Sequence, residues 1–203
     1  MSPRPRQATD AEILAAAFRA ISRLGPARLT LADVAKEAGL SAAALVQRFG
    51  SKRALLLAAA RDVAGGDAYI FPGLRAEHRS PLAALLGLAD CMASLMGPTP
   101  DAVAHNLAFG NWEITAPDFH RAALGALKGM EAGIRALVRD AVRAGELSGC
   151  DPGRLASALN ATLNGSIASW VLHRQGPLAD WVRRDLSTVL RPYRARPKRG
   201  VKS

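Results

Sequence analysis

The chain has 203 residues and a formal net charge of +10, and 49% of its residues are hydrophobic. This length allows one or two domains with a sizeable buried core. The two cysteines form no CxxC pair, and no apolar run reaches the roughly 18 residues of a membrane-spanning helix. These features argue against a disulfide framework, a zinc site, a secretory signal and a membrane partner, and they predict a cytoplasmic protein.

The positive charge is concentrated in two segments. Residues 1–56 carry a net charge of +5 and residues 191–203 carry +6, whereas residues 57–190 carry −1. Such a distribution indicates a protein that binds a polyanion and has a near-neutral second domain. For the C-terminal segment the alternative is a solvated, disordered terminus.

The first residues predict a flexible basic arm followed by a helix. Arg4 and Arg6 alternate with prolines, and such an arm can reach DNA phosphates or the minor groove beside a DNA-binding helix. A functionally silent arm is the alternative. Helix 1 is predicted to begin at the capping box formed by Thr9 and Glu12 and to end at Gly25.

Residues 30–49 predict two short helices joined by a tight turn. Apolar residues recur at helical spacing over residues 31–38, with Thr30 as the N-cap. Gly39 sits where the first helix must stop, and Ser41 caps the second. A helix, a glycine-containing turn and a second short helix form the helix-turn-helix layout, in which the second helix enters the DNA major groove.

The second of these helices separates an inner face from an outer one. Leu45 and Phe49 are four residues apart and are predicted to face the core. On the outer face, Gln47 suits a bidentate contact to adenine, and the alanine and valine side chains suit thymine methyl groups. Arg48 is predicted to contact a guanine or a phosphate. The predicted DNA-contacting residues are Thr30, Ser41, Ala42, Ala43, Ala44, Val46, Gln47, Arg48 and Lys52.

Lys52 is included because of its position at the start of helix 4. Ser51 is predicted to cap this helix, so Lys52 lies in its first turn. Backbone amides at a helix N-terminus attract anions, and a neighbouring lysine strengthens a phosphate contact. The alternative is that the Lys52 side chain extends into solvent.

The runs ILAAAF at residues 13–18 and VAKEAGLS at 34–41, with Phe49 and Lys52 at matching spacing, resemble the TetR (tetracycline-repressor-like) family of transcriptional regulators. Two positions depart from the family pattern. Val46 stands where the family usually has an aromatic residue, and Arg48 stands where it usually has His or Tyr. The resemblance therefore supports the scaffold more strongly than the set of base-reading residues.

The resemblance implies a repressor whose DNA binding is relieved by a small, largely apolar ligand. The ligand would occupy a cavity among the predicted helices 4 to 8, which run from residue 52 to about residue 174, and would tilt helix 4. Methionine and aromatic side chains are suitable for lining such a pocket, although a stripe of such residues is also typical of plain core. The residues predicted to line the pocket are Met92, Met96, His105, Phe109, Trp112, Phe119, Asn164 and Trp170.

The rest of the chain predicts an all-α fold of about nine helices. Residues 67–79 are predicted to be irregular, because glycine and proline interrupt them. Five helices are predicted to follow, at about 80–96, 101–115, 117–144, 152–174 and 178–190. We expect a DNA-binding domain at 1–56, a ligand-binding and dimerisation domain at 57–191 and a disordered basic tail at 192–203.

The last two helices predict a homodimer. The predicted helix at 152–174 carries a stripe of small residues that permits close approach of two backbones, and the predicted helix at 178–190 has a broad apolar face. Two such helices from each protomer would form a two-fold interface, which matches a palindromic operator in double-stranded DNA. In the alternative, a monomer buries both faces against its own helices. The predicted interface residues are Ala161, Gly165, Ala168, Trp181, Val182, Leu186 and Val189.

No arrangement of residues typical of catalysis is found. The sequence has no glycine-rich phosphate loop, nucleophile elbow or HExxH pattern, and its four histidines are scattered. No catalytic residue, metal ligand or cofactor is therefore predicted. Two alternatives to a ligand-controlled regulator remain: a DNA-binding protein of this fold without an effector, and a helical enzyme or interaction protein with an incidental basic hairpin.

Overall fold

The computed structural model describes residues 8–195, and the predicted arm at Arg4 and Arg6 and most of the predicted tail lie outside this range. The described residues form α-helices, a short 3-10 turn at Arg191–Tyr193 and no strand, which confirms the all-α prediction. The helices are α1 (Asp10–Arg28), α2 (Leu31–Ala38), α3 (Ala42–Phe49), α4 (Lys52–Ala64), α5 (Asp67–Glu77), α6 (Pro81–Met96), α7 (Pro100–Gly110), α8 (Pro117–Arg143), α9 (Pro152–His173) and α10 (Leu178–Leu190).

Helix α1 begins at the predicted capping box. The Thr9 hydroxyl accepts from the Glu12 amide, and the Glu12 carboxylate accepts from the Thr9 amide. The helical path breaks at Gly25, whose φ of 74° and ψ of 157° are accessible almost only to glycine. A last turn then continues to Arg28, so the chain changes direction where the sequence predicted a stop.

The α2–α3 pair has the predicted helix-turn-helix construction. Gly39 adopts the left-handed conformation, with φ 66° and ψ 32°, and ends α2. Leu40 and the N-cap Ser41 then lead directly into α3. The turn is short because a single left-handed residue reverses the chain.

Helix α5 corrects the expectation of an irregular segment at 67–79. The chain is helical over Asp67–Glu77 although Pro72 lies inside the helix. Phe71 and Leu74 are buried and supply the apolar face of this helix. Gly133 gives Phe71 room, because a Cβ at residue 133 would lie 1.9 Å from the Phe71 ring. Tertiary packing has overridden the local breaking signals of proline and glycine.

Helix α7 is shorter than predicted. It ends at Gly110, and residues 111–116 form successive turns instead of continuing to residue 115. Glu113 has a positive φ of 45°, which a helix cannot accommodate. The other predicted helices agree with the structure to within the one or two residues by which helix ends commonly differ.

Within residues 8–195 the chain forms two compact units. The first contains the described residues up to Gly66 together with Met96–Ala126. It therefore extends beyond the predicted boundary at residue 56 and includes α7. The reason is packing, since α7 lies against α1 and Phe109 and Phe119 belong to the same core as the first four helices. The fully buried centre of this core includes Ile13, Ile21, Leu29, Leu45, Leu55 and Leu56.

The second unit contains Asp67–Leu95 and the described residues from Leu127 onward. Helix α9 packs against α10 within it. Its fully buried side chains include Leu85, Leu88, Ile134, Leu137, Leu147 and Leu159.

No single described helix is long and apolar enough to cross a membrane. Helices α6 and α7 reach the required length and hydropathy only when the two are taken together.

Candidate nucleic-acid interface

Helix α3 is fixed to the first unit by one side and exposes the other. Leu45 is 0% exposed and lies in the core, and Phe49 packs against the same core as a half-buried residue. The exposed residues are those that the helical spacing predicts. Ala42, Ala43, Val46 and Gln47 are all exposed. The exposed surface of α3 is therefore mostly apolar, and its polar groups are the Gln47 amide and the exposed Arg48 guanidinium.

The hydroxyl groups predicted to contact DNA are used in helix caps. Thr30 Oγ1 donates to Asp33 Oδ2 at 2.6 Å and accepts from the Asp33 amide. The hydrogen bonds from Thr30 lower the pKa of Asp33 from its ordinary value. Ser41 Oγ accepts from the Ala44 amide at 3.2 Å, so its own proton remains available as a donor. Both residues set the start of a helix in the pair.

Arg48 is held by the start of α1. Its Nη1 donates to the Ala8 carbonyl oxygen at 2.5 Å, and its Nε lies 2.5 Å from an Asp10 carboxylate oxygen. Two of the three guanidinium nitrogens of Arg48 thus contact groups within the protein. Its predicted role in reading a guanine would require these contacts to break, and the structure instead shows it connecting α3 with α1.

A second ion-pair cluster connects α1 with α2. Glu37 accepts from Arg19 Nε at 2.9 Å and lies 3.6 Å from Arg23 Nη2. All three side chains are at the surface, so the cluster contributes little to stability. Its single carboxylate offsets one of the two arginine charges in the basic N-terminal segment.

Lys52 lies against the protein and does not extend freely into solvent. Its Nζ donates to the Ala27 carbonyl oxygen at 3.0 Å and lies 5.7 Å from the centre of the Trp112 ring. An ammonium group has three donors, so two are left for a phosphate. The hydrogen bond to Ala27 holds the Lys52 cation at the start of α4. Among the described residues no carboxylate forms an ion pair with Lys52.

Arg53 connects the start of α4 with the turn before α8. Its Nε donates to Glu113 at 2.8 Å, and its two terminal nitrogens donate to Asp118 at 2.8 and 2.9 Å. The guanidinium also lies 5.1 Å from the centre of the Phe119 ring. This paired, planar geometry is favourable for an arginine and a carboxylate. Hydrogen bonds from Arg53 hold the pKa of Asp118 well below its ordinary value.

Replacing Asp118 with asparagine should lower stability in a pH-dependent way. Because the folded-state pKa of Asp118 is depressed, its ion pair stabilises the folded state above the ordinary value of 3.8 and is lost as the pH falls through the folded pKa. The Asp118→Asn variant should therefore be less stable than the parent protein at pH 7. The difference should shrink as the pH falls below about 4. Urea denaturation followed by circular dichroism between pH 3 and pH 7 measures both trends.

Asp62→Asn is a suitable control, because Asp62 is an exposed carboxylate on the same helix as Arg53. This substitution should change stability little at any pH in the series. A stability difference for Asp118→Asn that stays constant from pH 7 to pH 3 would contradict the assigned ion pair.

Helix α7 is fastened to the end of α1 by two polar side chains. Pro26 has no amide proton, so the Ser22 carbonyl lacks its usual helical donor. His105 Nδ1 lies 2.9 Å from that carbonyl oxygen and supplies a donor. Asn106 Nδ2 donates to Ser22 Oγ at 2.8 Å and to the Met96 carbonyl oxygen at 2.9 Å. These interactions explain why α7 belongs to the first unit.

The residues predicted to line a ligand pocket are divided between the two units. Met96, His105, Phe109, Trp112 and Phe119 lie in the first unit, and Met92, Asn164 and Trp170 lie in the second. In the first unit, Phe109 contacts Phe18 edge to face at 5.8 Å. In the second, Trp170 Nε1 donates to the Gly176 carbonyl oxygen at 3.0 Å. The common ligand role of these eight residues stays a prediction.

The predicted dimer-interface residues differ in their exposure within one protomer. Ala161 and Gly165 are exposed on α9, and Ala168, Trp181 and Val189 are half-buried. Val182 and Leu186 differ from the expectation, because they are buried inside the protomer, where α10 packs against α9. Side chains already buried in their own protomer offer no surface to a second copy.

A shallow cleft of about 370 Å³ lies at the turn between α9 and α10. Trp181 forms one wall, with the Arg184 guanidinium 4.3 Å and the His173 ring 5.1 Å from its ring centre. None of the residues predicted to line a ligand pocket lines this cleft.

The partners of the basic side chains were not predicted from the sequence. Asp10, Glu37, Glu113 and Asp118 each hold an arginine of the first unit. The sequence did contain one signal, because Arg53 lies in the first turn of α4. A cation there opposes the helix dipole, and a nearby anion offsets that repulsion. The two acids that accept from Arg53 lie 60 and 65 residues further along the chain.

The fold and this interface define a helix-turn-helix DNA-binding protein. Residues 13–59 match the family model described as bacterial regulatory proteins of the tetR family, and residues 110–186 match that of the tetracyclin repressor-like C-terminal domain. The two matched segments together span more than half of the chain. The chain belongs to the TetR family of bacterial regulatory proteins.

Solved structures confirm this architecture. A TetR transcription regulator from Haloarcula marismortui has a TM-score of 0.75 at 20% identity and covers 91% of this chain and 97% of its own. The regulator FadR from Bacillus subtilis, in complex with stearoyl-CoA, has a TM-score of 0.70 at 16% identity, covering 90% and 98%. SmeT, the repressor of a multidrug efflux pump of Stenotrophomonas maltophilia, has a TM-score of 0.65 at 21% identity, covering 97% and 94%. At these identities the likeness establishes the fold. No curated protein sequence matches the chain.

Proposed function

We propose that this protein is a dimeric transcriptional repressor that binds a palindromic operator and is released from it by a small, largely apolar molecule. The observation that carries the proposal is the exposed face of α3, held by Leu45 on a helix-turn-helix that matches the family model. A repressor that binds chromosomal DNA in a bacterium acts in the cytoplasm.

Two kinds of contact support binding to duplex DNA. The exposed residues of α3 are short enough to let the helix approach the base edges in the major groove. Lys52, with two donors left on its ammonium group, and the hydroxyl proton of Ser41 are suited to phosphates on either side. The phosphate contacts would set the position of the protein, and α3 would provide the sequence preference.

The surface of α9 supports pairing of two protomers. Ala158, Ala161, Gly165 and Ser169 are exposed at spacings of three or four residues and so share one face of the helix. Leu172 continues this row and is 84% exposed. Small residues allow two α9 helices to approach closely around a two-fold axis, and an exposed leucine favours burial in such an interface.

The proposal of an apolar effector rests on the C-terminal domain. Residues 110–186 match the tetracyclin repressor-like domain, and the similar regulator FadR was solved with stearoyl-CoA. In the mechanism we propose, the ligand binds more tightly to the DNA-free state than to the DNA-bound state. It then changes the separation of the two α3 helices and releases the operator.

Selection of bound sequences from random duplex DNA tests this function. We expect enrichment of a palindrome whose half-sites are separated by one helical turn or a multiple of it, because a two-fold dimer presents two α3 helices. Failure to enrich any sequence at moderate salt would contradict DNA binding. Enrichment of a single, asymmetric site would contradict the dimer.

A further inference from the structure

The outward side chains of α3 are mostly apolar. Val46 is 47% exposed, which is high for a large apolar side chain. Ala42 and Ala43 lie four and three residues before it and therefore share its face. The core contacts of α3 come from the buried Leu45 and the half-buried Phe49, and Val46 lies beside them on the exposed part of the helix.

The polar side chains near this face are mostly committed elsewhere. Arg48 is bound to the Ala8 carbonyl and to Asp10, so a bidentate contact to guanine would compete with one hydrogen bond and one ion pair. Thr30 donates to Asp33 and so has no free proton. Within α3 this leaves the Gln47 amide as the one outward group that both donates and accepts hydrogen bonds.

The remaining chemistry corresponds to one type of base pair. An exposed aliphatic side chain in the major groove contacts the 5-methyl group of thymine, and a glutamine amide pairs with N6 and N7 of adenine. Guanine is most often read by arginine or lysine, and Arg48 is the one such residue in α3. Adjacent apolar and amide side chains therefore suit A·T pairs.

We propose that Val46 is the specificity-determining residue of this protein and reads the 5-methyl group of a thymine in each operator half-site. Gln47 contacts a neighbouring adenine, and Arg48 positions α3 against α1 and does not read a base. This inference rests on the proposed function, since it assigns the bases that α3 recognises in the operator.

Comparison of thymine with deoxyuridine in the selected operator tests the contact of Val46 with the 5-methyl group. Deoxyuridine lacks the 5-methyl group and keeps the same pairing edge, so only the apolar contact changes. We expect the substitution to weaken binding at one thymine position in each half-site. The expected loss is about fourfold per methyl group, because burying one such group contributes a transfer free energy that corresponds to this factor. In the Val46→Ala variant the difference between the two duplexes should largely disappear, because the partner of the methyl group has been removed.

Two further variants separate this contact from general effects. Lys52→Ala should weaken binding to both duplexes by the same factor, because a phosphate contact does not depend on the base. Arg48→Ala should leave the selected sequence unchanged, because Arg48 reads no base. Val46→Ala should unfold at nearly the parent temperature, since Val46 is exposed.

The possible outcomes distinguish the inference from the proposed function. Enrichment of no duplex at all would overturn the proposed function, and the inference with it. Binding to an operator that is insensitive to deoxyuridine at every thymine would overturn the inference alone. Full sensitivity retained in Val46→Ala, or loss of a guanine preference in Arg48→Ala, would also overturn it.

Discussion

Replacing Leu45 with alanine is expected to lower the free energy of unfolding by about 2–5 kcal/mol. Leu45 is fully buried, and it is the side chain by which α3 is anchored in the core of the first unit. Its truncation removes apolar contacts and leaves a cavity that the small neighbouring residues fill poorly. Since whole proteins are stable by only about 5–15 kcal/mol, a clear fall in the thermal and urea midpoints should follow. Operator binding should weaken as well, because α3 loses its fixed orientation.

Val46→Ala provides the matched control for this experiment. It is the next residue in the same helix and its side chain is exposed, so the stability should change by no more than about 0.5 kcal/mol. Both variants place an alanine in the same helix, so their comparison separates the effect of lost burial from the effect of changed helix propensity. Equal effects of the two substitutions would show that α3 is not anchored through Leu45.

Replacing Gly25 with alanine is expected to lower the free energy of unfolding by about 2–4 kcal/mol. The backbone at Gly25 lies in a region of φ and ψ that residues with a Cβ rarely adopt. In addition, the new Cβ would lie 2.9 Å from the His105 ring, and that ring would have to move. Its hydrogen bond to the Ser22 carbonyl would then be lost. Urea denaturation followed by circular dichroism measures the combined cost.

Gly39→Ala is the control for the conformational part of this cost. Gly39 also has a positive φ, but its ψ of 32° places it in the ordinary left-handed region, and nothing lies within 4 Å of an added Cβ. Its substitution should cost about 1 kcal/mol. If Gly25→Ala costs no more than Gly39→Ala, then His105 does not hold α7 against α1 in the way described.

Local signals in the sequence were sufficient to predict the helix-turn-helix. The caps at Thr9, Thr30 and Ser41 depend on residues three positions away, and the turn at Gly39 depends on a single backbone conformation. Such short-range rules operate regardless of the rest of the chain. The orientation of α3 followed in the same way from the spacing of its apolar residues.

The features that were not predicted depend on distant residues. Helix α5 forms because Phe71 packs where Gly133 leaves space, although Pro72 is an unfavourable helix residue. The partner of Arg48 is at the start of α1, and the partners of Arg53 lie after α7. A single sequence contains no periodic signal for such pairs, because they are determined by how the helices pack.

The ion pairs of the first unit have a consequence for how DNA binding depends on salt. Each phosphate that a protein neutralises releases condensed counterions, and the number released sets the slope of affinity against salt concentration. Of the five arginines described between residues 8 and 56, four already lie in an ion pair with a carboxylate, so they displace few counterions unless those pairs break. The arginines concerned are Arg19, Arg23, Arg48 and Arg53. The slope therefore reports the cations without a carboxylate partner, such as Lys52, and it should be shallower than the net charge of the chain alone suggests.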